Sequence, residues 1–187
     1  AEHYYLNGFT DTSNSYFTST TKSWSQTTSF GSTTAMHVGT DTGTNLGDTN
    51  WGVAMEYNVV FKVAGTYRMY ARAMAGKGGI GAQYSDTCHM LWRSPLTGQL
   101  TFVTSGDPMD GYNGGSMAWG VAGTTVSVTS AMLGVISKVY IAMREDGFVA
   151  DRWAMTLIPG TSVFTGTAAG DPESTLVSCT SSQILYF

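Results

Sequence analysis

The run from residue 138 to residue 159, KVYIAMREDGFVADRWAMTLIP, constrains the fold more than any other part of the chain. Val139, Ile141 and Met143 alternate with Tyr140, Ala142 and Arg144. Glu145, Asp146 and Gly147 then turn the chain, and a second alternation follows from Phe148 to Ile158. Two period-two segments around an Asp-Gly step predict a β-hairpin with an acidic tip. On such a tip Glu145 and Asp146 diverge.

The same pattern recurs along the chain. Short alternating runs lie between clusters of Gly, Ser, Thr, Asn and Asp, and no window holds a 3.6-residue period. Strands are expected at 4–9, 35–38, 55–62, 65–74, 86–93, 99–103, 124–129, 137–144 and 148–158. Residues 13–34 are rich in Ser and Thr but carry Tyr16, Phe17, Trp24 and Phe30. That is too apolar for a free linker, so the segment reads as loop and edge strand covering a sandwich. Many short strands at this spacing predict an all-β, two-layer antiparallel β-sandwich of the jelly-roll kind. It would occupy residues 1–159, with 160–187 as a C-terminal extension.

Composition narrows the function. The 187 residues suit one domain with a sizeable core. Charged residues make up 12% of the chain, about half the usual share, and the formal net charge is −4. Nucleic acid demands clustered Lys and Arg, so it is not an expected partner. No stretch approaches the ~20 apolar residues of a membrane-spanning helix, and membrane insertion is not expected. A chain beginning at Ala1 fits an exported product whose signal peptide has been removed; a trimmed piece of a longer chain is the alternative. In an extracellular or cell-surface setting Cys88 and Cys179 would pair, adding up to about 4–5 kcal/mol by loop closure. Two buried thiols, or links to another chain, are the other readings. His3, His37 and His89 show no metal-ligand spacing.

Several landmarks resemble a known family. They are the strand GTYRMYAR at 65–72, the step Ser85-Asp86-Thr87, Trp119 ahead of the strand around Val126, and Arg144-Glu145-Asp146-Gly147 with Asp151 four residues on. In this order they resemble carbohydrate-binding modules of the galactose-binding-like type, families six and thirty-five. The resemblance spans roughly 64–157. It implies a secreted jelly-roll and a glycan ligand. It also implies a structural calcium near Asp151, but the family's Glu-Ala-Glu strand is here Tyr5-Leu6-Asn7-Gly8-Phe9, without either Glu. One carboxylate does not supply the six to eight oxygens that calcium takes. The structural role is then the simpler one for Asp151.

A second acidic loop places Asp41, Asn45 and Asp48 at short intervals among glycines. Such spacing can wrap calcium, and equally builds an ordinary turn, since Asp and Asn side chains bond nearby backbone N–H groups. No other cofactor is expected. Sugar binding calls for flat aromatic rings beside amides or carboxylates. The candidates are Trp51 with Asn50, Trp92, and Tyr112 with Asn113 and Asp110; packing is the competing role. Trp119 and Trp153 read as core. No paired carboxylates facing each other about 5–9 Å apart, nucleophile elbow or Cys–His arrangement emerges, so the chain reads as non-catalytic, with a glycan-active enzyme as the last alternative.

The end of the chain is apolar. Ile184, Leu185, Tyr186 and Phe187 require burial, on their own domain or on a neighbour's sheet edge. Two functions follow. The first is a self-assembling extracellular subunit of a filament, tubule or sheath, with copies of itself as partner. The second is a soluble glycan-binding module. O-linked sugar on the many Ser and Thr residues is compatible with both.

Overall fold

The computed structural model of the protein describes residues 6–28, 35–39, 42–75, 87–103 and 117–158. The extension at 160–187 lies outside them. The described residues form ten strands: β1 (Leu6–Phe9), β2 (Trp24–Thr27), β3 (Ala35–Val38), β4 (Ala54–Val60), β5 (Gly65–Ala75), β6 (Cys88–Arg93), β7 (Leu100–Phe102), β8 (Ala118–Val128), β9 (Ile136–Met143) and β10 (Phe148–Leu157). One 3-10 turn, Ser130–Met132, precedes β9.

The strands make two antiparallel five-stranded sheets, ordered β1-β4-β9-β6-β7 and β2-β3-β10-β5-β8. Without β1 and β2, the remaining eight give 4-9-6-7 and 3-10-5-8. That is the jelly-roll arrangement, a β-sandwich of interlocked Greek keys. The expected fold class is therefore observed.

The expected hairpin is not. β9 pairs with β4 and β6 in one sheet, and β10 pairs with β3 and β5 in the other. Residues 144–147 are an arch that carries the chain from sheet to sheet. An Asp-Gly step fixes a sharp change of direction, because Gly147 adopts φ 81° at no steric cost. It does not fix whether the flanking strands pair with each other. Here Gly147 N–H bonds to Val38 O at 3.0 Å, so the turn is anchored to β3.

Alternation builds the core. Met55, Tyr57 and Val59 of β4 and Val139, Ile141 and Met143 of β9 face Met69, Ala71 and Ala73 of β5 and Phe148 and Ala150 of β10. Burying each large apolar side chain contributes roughly 1.5–3 kcal/mol. In β10 a bulge sits between Ala150, opposite Ala73, and Arg152, opposite Arg72. The extra residue is Asp151. It shifts the parity, so Trp153 and Met155 then face inward. Trp153 packs against Tyr57, ring centroids 5.0 Å apart, as its core reading requires.

Two strand expectations need adjusting. β8 begins at Ala118 rather than 124, because a bulge opposite Met69 absorbs the Ala122-Gly123-Thr124 interruption. The segment 13–34 does contain an edge strand, β2, at the margin of the second sheet. Its Trp24 Nε1 donates to Val53 O at 3.0 Å, tying that margin to the opposite sheet. The stretch from Phe9 to Phe17 crosses the outer face of the first sheet. There Phe9, Phe17, Leu100 and Phe102 pack on Trp51, Leu91 and Tyr140 as a second apolar cluster.

Candidate functional site

Two places in the fold gather chemistry-bearing residues. The first is the arch. Glu145 and Asp146 do not diverge into solvent there; both are buried. Asp146 accepts from Thr42 Oγ1 at 2.6 Å, Thr42 N–H at 3.0 Å and Thr44 N–H at 2.9 Å, and pairs with Lys22 Nζ at 2.6 Å. Glu145 accepts from Asn45 Nδ2 and Thr87 Oγ1, both at 2.6 Å, and from Arg144 at 2.7 Å. Arg144 also reaches Asp48 at 2.8 Å. Burial pushes the Asp146 pKa up, but the Lys22, Thr42 and Thr44 bonds outweigh it and hold it below the usual carboxylate range. These carboxylates are saturated by protein donors. They fasten the loop at 42–50 to the arch.

That arrangement gives two members of the calcium-loop candidate, Asn45 and Asp48, partners within the protein. Asn45 is engaged by Glu145 through Nδ2, and its Oδ1 accepts from Gly47 N–H at 2.7 Å. Asp48 is held by Arg144. Asp41 lies outside the described residues. Among the described residues no group of three or more His, Cys, Asp and Glu side chains is placed to hold a metal ion. Asp151 pairs with Arg72 at 2.8 Å on the second sheet.

The sugar candidates separate. Trp51 is wholly buried, stacked 6.0 Å from Phe9 and edge-on to Phe17 at 5.0 Å. Its ring has no face to offer a sugar, which corrects its reading as a binding aromatic. The reason is the strap at 9–17, whose aromatics cover it. Asn50 is half-buried beside it. Asp110, Tyr112 and Asn113 lie outside the described residues, as do Ile184, Leu185, Tyr186 and Phe187. The expected Cys88–Cys179 disulfide is not formed: Cys88 is a free, buried thiol, and Cys179 lies outside the described residues.

Trp92 belongs to the second place, a cleft of about 270 Å³ on the side of the sandwich where β7 and β8 are the outermost strands. Its inner wall is Trp92, Val103, Val126 and Met132. Val103, Val126 and Met132 belong to the main core, so the cleft opens directly onto it. The mouth carries hydroxyls and an amide, among them Ser94, Gln99, Thr101, Thr125 and Ser127. No described lining residue is charged. Trp92 Nε1 is buried and has no hydrogen-bond partner among the described residues. An indole N–H in that state is an unused donor. The sequence pointed to Trp92 but not to its neighbours, since they come from β6, β7, β8 and the 3-10 turn, and nothing local brings those together.

β8 itself completes the picture. Its eleven residues, AWGVAGTTVSV, contain no charge and no proline. Among the described residues it pairs only with β5. Val121 on it is 49% exposed. At mid-strand Thr124 N–H bonds to Val103 O, just past β7, at 3.0 Å.

The fold and these two places define an all-β jelly-roll sandwich with a saturated polar anchor and a margin that, among the described residues, is uncharged and unpaired along β8's outer edge. No family model matches the chain, and no curated protein matches it. Among the described residues no helix is long and apolar enough to cross a membrane.

Proposed function

We propose that this protein is a non-catalytic subunit that assembles with copies of itself into an extracellular filament, tubule or sheath, on a scaffold of the carbohydrate-binding type. The observation that carries this reading is β8. Edge strands in proteins that stay monomeric are usually short, charged, proline-bearing or covered, because an open edge is a template for another chain. β8 is long and has neither charge nor proline; among the described residues its one protective device is the bulge opposite Met69. The low overall charge works in the same direction, since it leaves little repulsion between copies. The arch supports the non-catalytic part, because both of its carboxylates are committed to structural bonds.

Electron microscopy and sedimentation velocity of the purified chain over a rising concentration series test the proposal. Ordered particles that grow with concentration are expected. A chain that stays monomeric throughout would overturn it.

A second reading, a soluble glycan-binding module, draws on Trp92 and the hydroxyl-rich mouth of its cleft. It requires saturable binding of a saccharide by the monomer, lost in Trp92→Ala.

A further inference from the structure

We infer that the cleft between β7 and β8 receives the apolar segment 183–187 of a second copy of this chain. The inference rests on the assembly reading and names the contact that would drive it.

Four observations meet at this cleft. Its inner wall is apolar and continuous with the main core, through Val103, Val126 and Met132. Large apolar side chains entering there would extend a core that already exists. A saccharide, by contrast, needs polar groups facing its hydroxyls along its length; here the polar groups sit at the mouth, and the inner wall offers carbon and sulfur with the Trp92 indole N–H as its one donor among the described residues. Second, both flanking strands are sheet margins among the described residues, so an extended segment laid between them meets backbone groups not used inside the sheets. Trp92 Nε1 is one further donor, suited to a backbone carbonyl.

Third, the charge patterns agree. The described cleft lining has no charged side chain, and neither do residues 174–187. Within that stretch Gln183-Ile184-Leu185-Tyr186-Phe187 has strand length and consecutive apolar side chains. A segment filling a core margin on one face, and lying under a neighbouring chain on the other, is apolar on both faces.

Fourth, the path is short. β10 ends at Leu157, which pairs with Tyr67, and Tyr67 pairs with Val126. The end of β10 is therefore level with the cleft and two strands away, about 10 Å at sheet spacing. Twenty-odd residues then precede Ile184, each spanning up to roughly 3.3 Å, enough to reach a neighbour. A five-residue segment covers less than half of β8. The remainder, from Ala118 to Val121, stays uncharged with Val121 exposed. That fits a neighbouring body lying along the entire edge better than a flap folded back on its own domain.

Cross-linking of full-length chains tests this. An isotope-labelled chain carrying Thr125→Cys is mixed with an unlabelled chain carrying Leu185→Cys, both with Cys179→Ser, then assembled and mildly oxidised. Labelled-to-unlabelled cross-links at Thr125 should exceed, on the order of ten-fold, those from a control pair with Lys62→Cys in place of Thr125→Cys. Thr125→Arg, which places a long charged side chain at the mouth, should weaken assembly about as much while leaving the circular dichroism unchanged. Three results would overturn the inference. One is particles that form without the cross-link. Another is a cross-link found only within a single chain carrying both cysteines. The third is a saccharide that saturably shields Thr125→Cys from alkylation. Absence of particles under all conditions would instead sink the assembly reading on which the inference stands.

Discussion

Asp146 Oδ2 lies 2.6 Å from Lys22 Nζ, and this one contact joins two parts of the chain that sequence alone keeps far apart. Lys22 leads into β2, the margin of the second sheet. Asp146 sits in the arch that carries the chain between the sheets. The same carboxylate takes both N–H groups from Thr42 and Thr44, so a single side chain organises the approach to β2, the loop after β3 and the arch.

Asp146→Asn should therefore destabilise the fold by about 3 kcal/mol, the range expected when one partner of a buried ion pair is removed. The amide cannot accept at both oxygen positions, and the Lys22 ammonium loses its counter-charge. Urea unfolding at neutral pH measures the loss. An unchanged midpoint would show that the anchor is dispensable. Lys22→Met should cost less, since Asp146 keeps its Thr42 and Thr44 donors.

Acid should loosen the protein in two stages. His89 is buried under the loop at 42–50, its Nε2 3.4 Å from Gly47 O. Burial lowers its pKa to about 4, from an unfolded value near 6.5. The unfolded chain thus takes up a proton that the folded chain refuses, so stability falls as pH drops from about 6.5 to about 4 and levels off below. The linked loss is at most about 3.4 kcal/mol. His37, also lowered by burial, adds to the same slope. Asp146 acts in the opposite chemical sense: its folded pKa is depressed, so its contribution is full above the unfolded value near 3.8 and disappears as pH falls below it. Unfolding free energies at pH 7.5, 6, 5 and 4 should show the first stage. His89→Gln should flatten most of it. A slope unaltered in that variant would assign the effect elsewhere.

The layers of this structure were unequally visible in the sequence. The alternation of Val139, Ile141 and Met143 gave the strand and its inward face, because side-chain period and burial are local properties. Whether β10 pairs with β9 was not visible, because an Asp-Gly turn closes a hairpin and an arch with the same residues. The burial of Trp51 was hidden for a similar reason. What covers it is Phe9 and Phe17, distant along the chain and brought over it by the strap. Asn45 and Asp48 looked like metal ligands because oxygen spacing is local. Their partners, Glu145 and Arg144, lie about a hundred residues on.

Trp51→Ala should behave as a core deletion, costing about 3–5 kcal/mol. Its indole stacks on Phe9 and meets Phe17 edge-on, and its loss would leave a cavity beneath the strap. Thermal unfolding should shift downward, and tryptic cleavage near Lys22 should speed up as the strap loosens. Loss of saccharide binding without loss of stability would return Trp51 to the list of ligand aromatics.

Cys88 should be inert in the folded state. Burial and the nearby Glu145 carboxylate push its thiol well above the usual range, which removes the thiolate that reacts. A thiol reagent at pH 8 should label Cys88 only as fast as the protein unfolds, and at once in denaturant. Peptide mapping under non-reducing conditions checks the pairing directly: a Cys88–Cys179 linkage would require the core around Met90 and Met143 to open.

Val121→Lys is the sharpest test of the edge. Val121 is half exposed, pairs with Tyr70 in register, and lies on the uncharged half of β8 away from the cleft. A lysine there keeps its ammonium in water, so the monomer should lose no more than about 0.5 kcal/mol. Copies approaching along β8 would have to bury that charge, or meet it twice across a symmetric contact, and natural edge strands use lysine for this reason. Sedimentation velocity should show the variant shifted toward monomer by at least about ten-fold in the concentration needed for assembly, with unchanged circular dichroism. Val135→Lys, also solvent-facing but ahead of β9, serves as control and should assemble normally. If both variants assemble like the parent chain, β8 is not the edge along which copies meet.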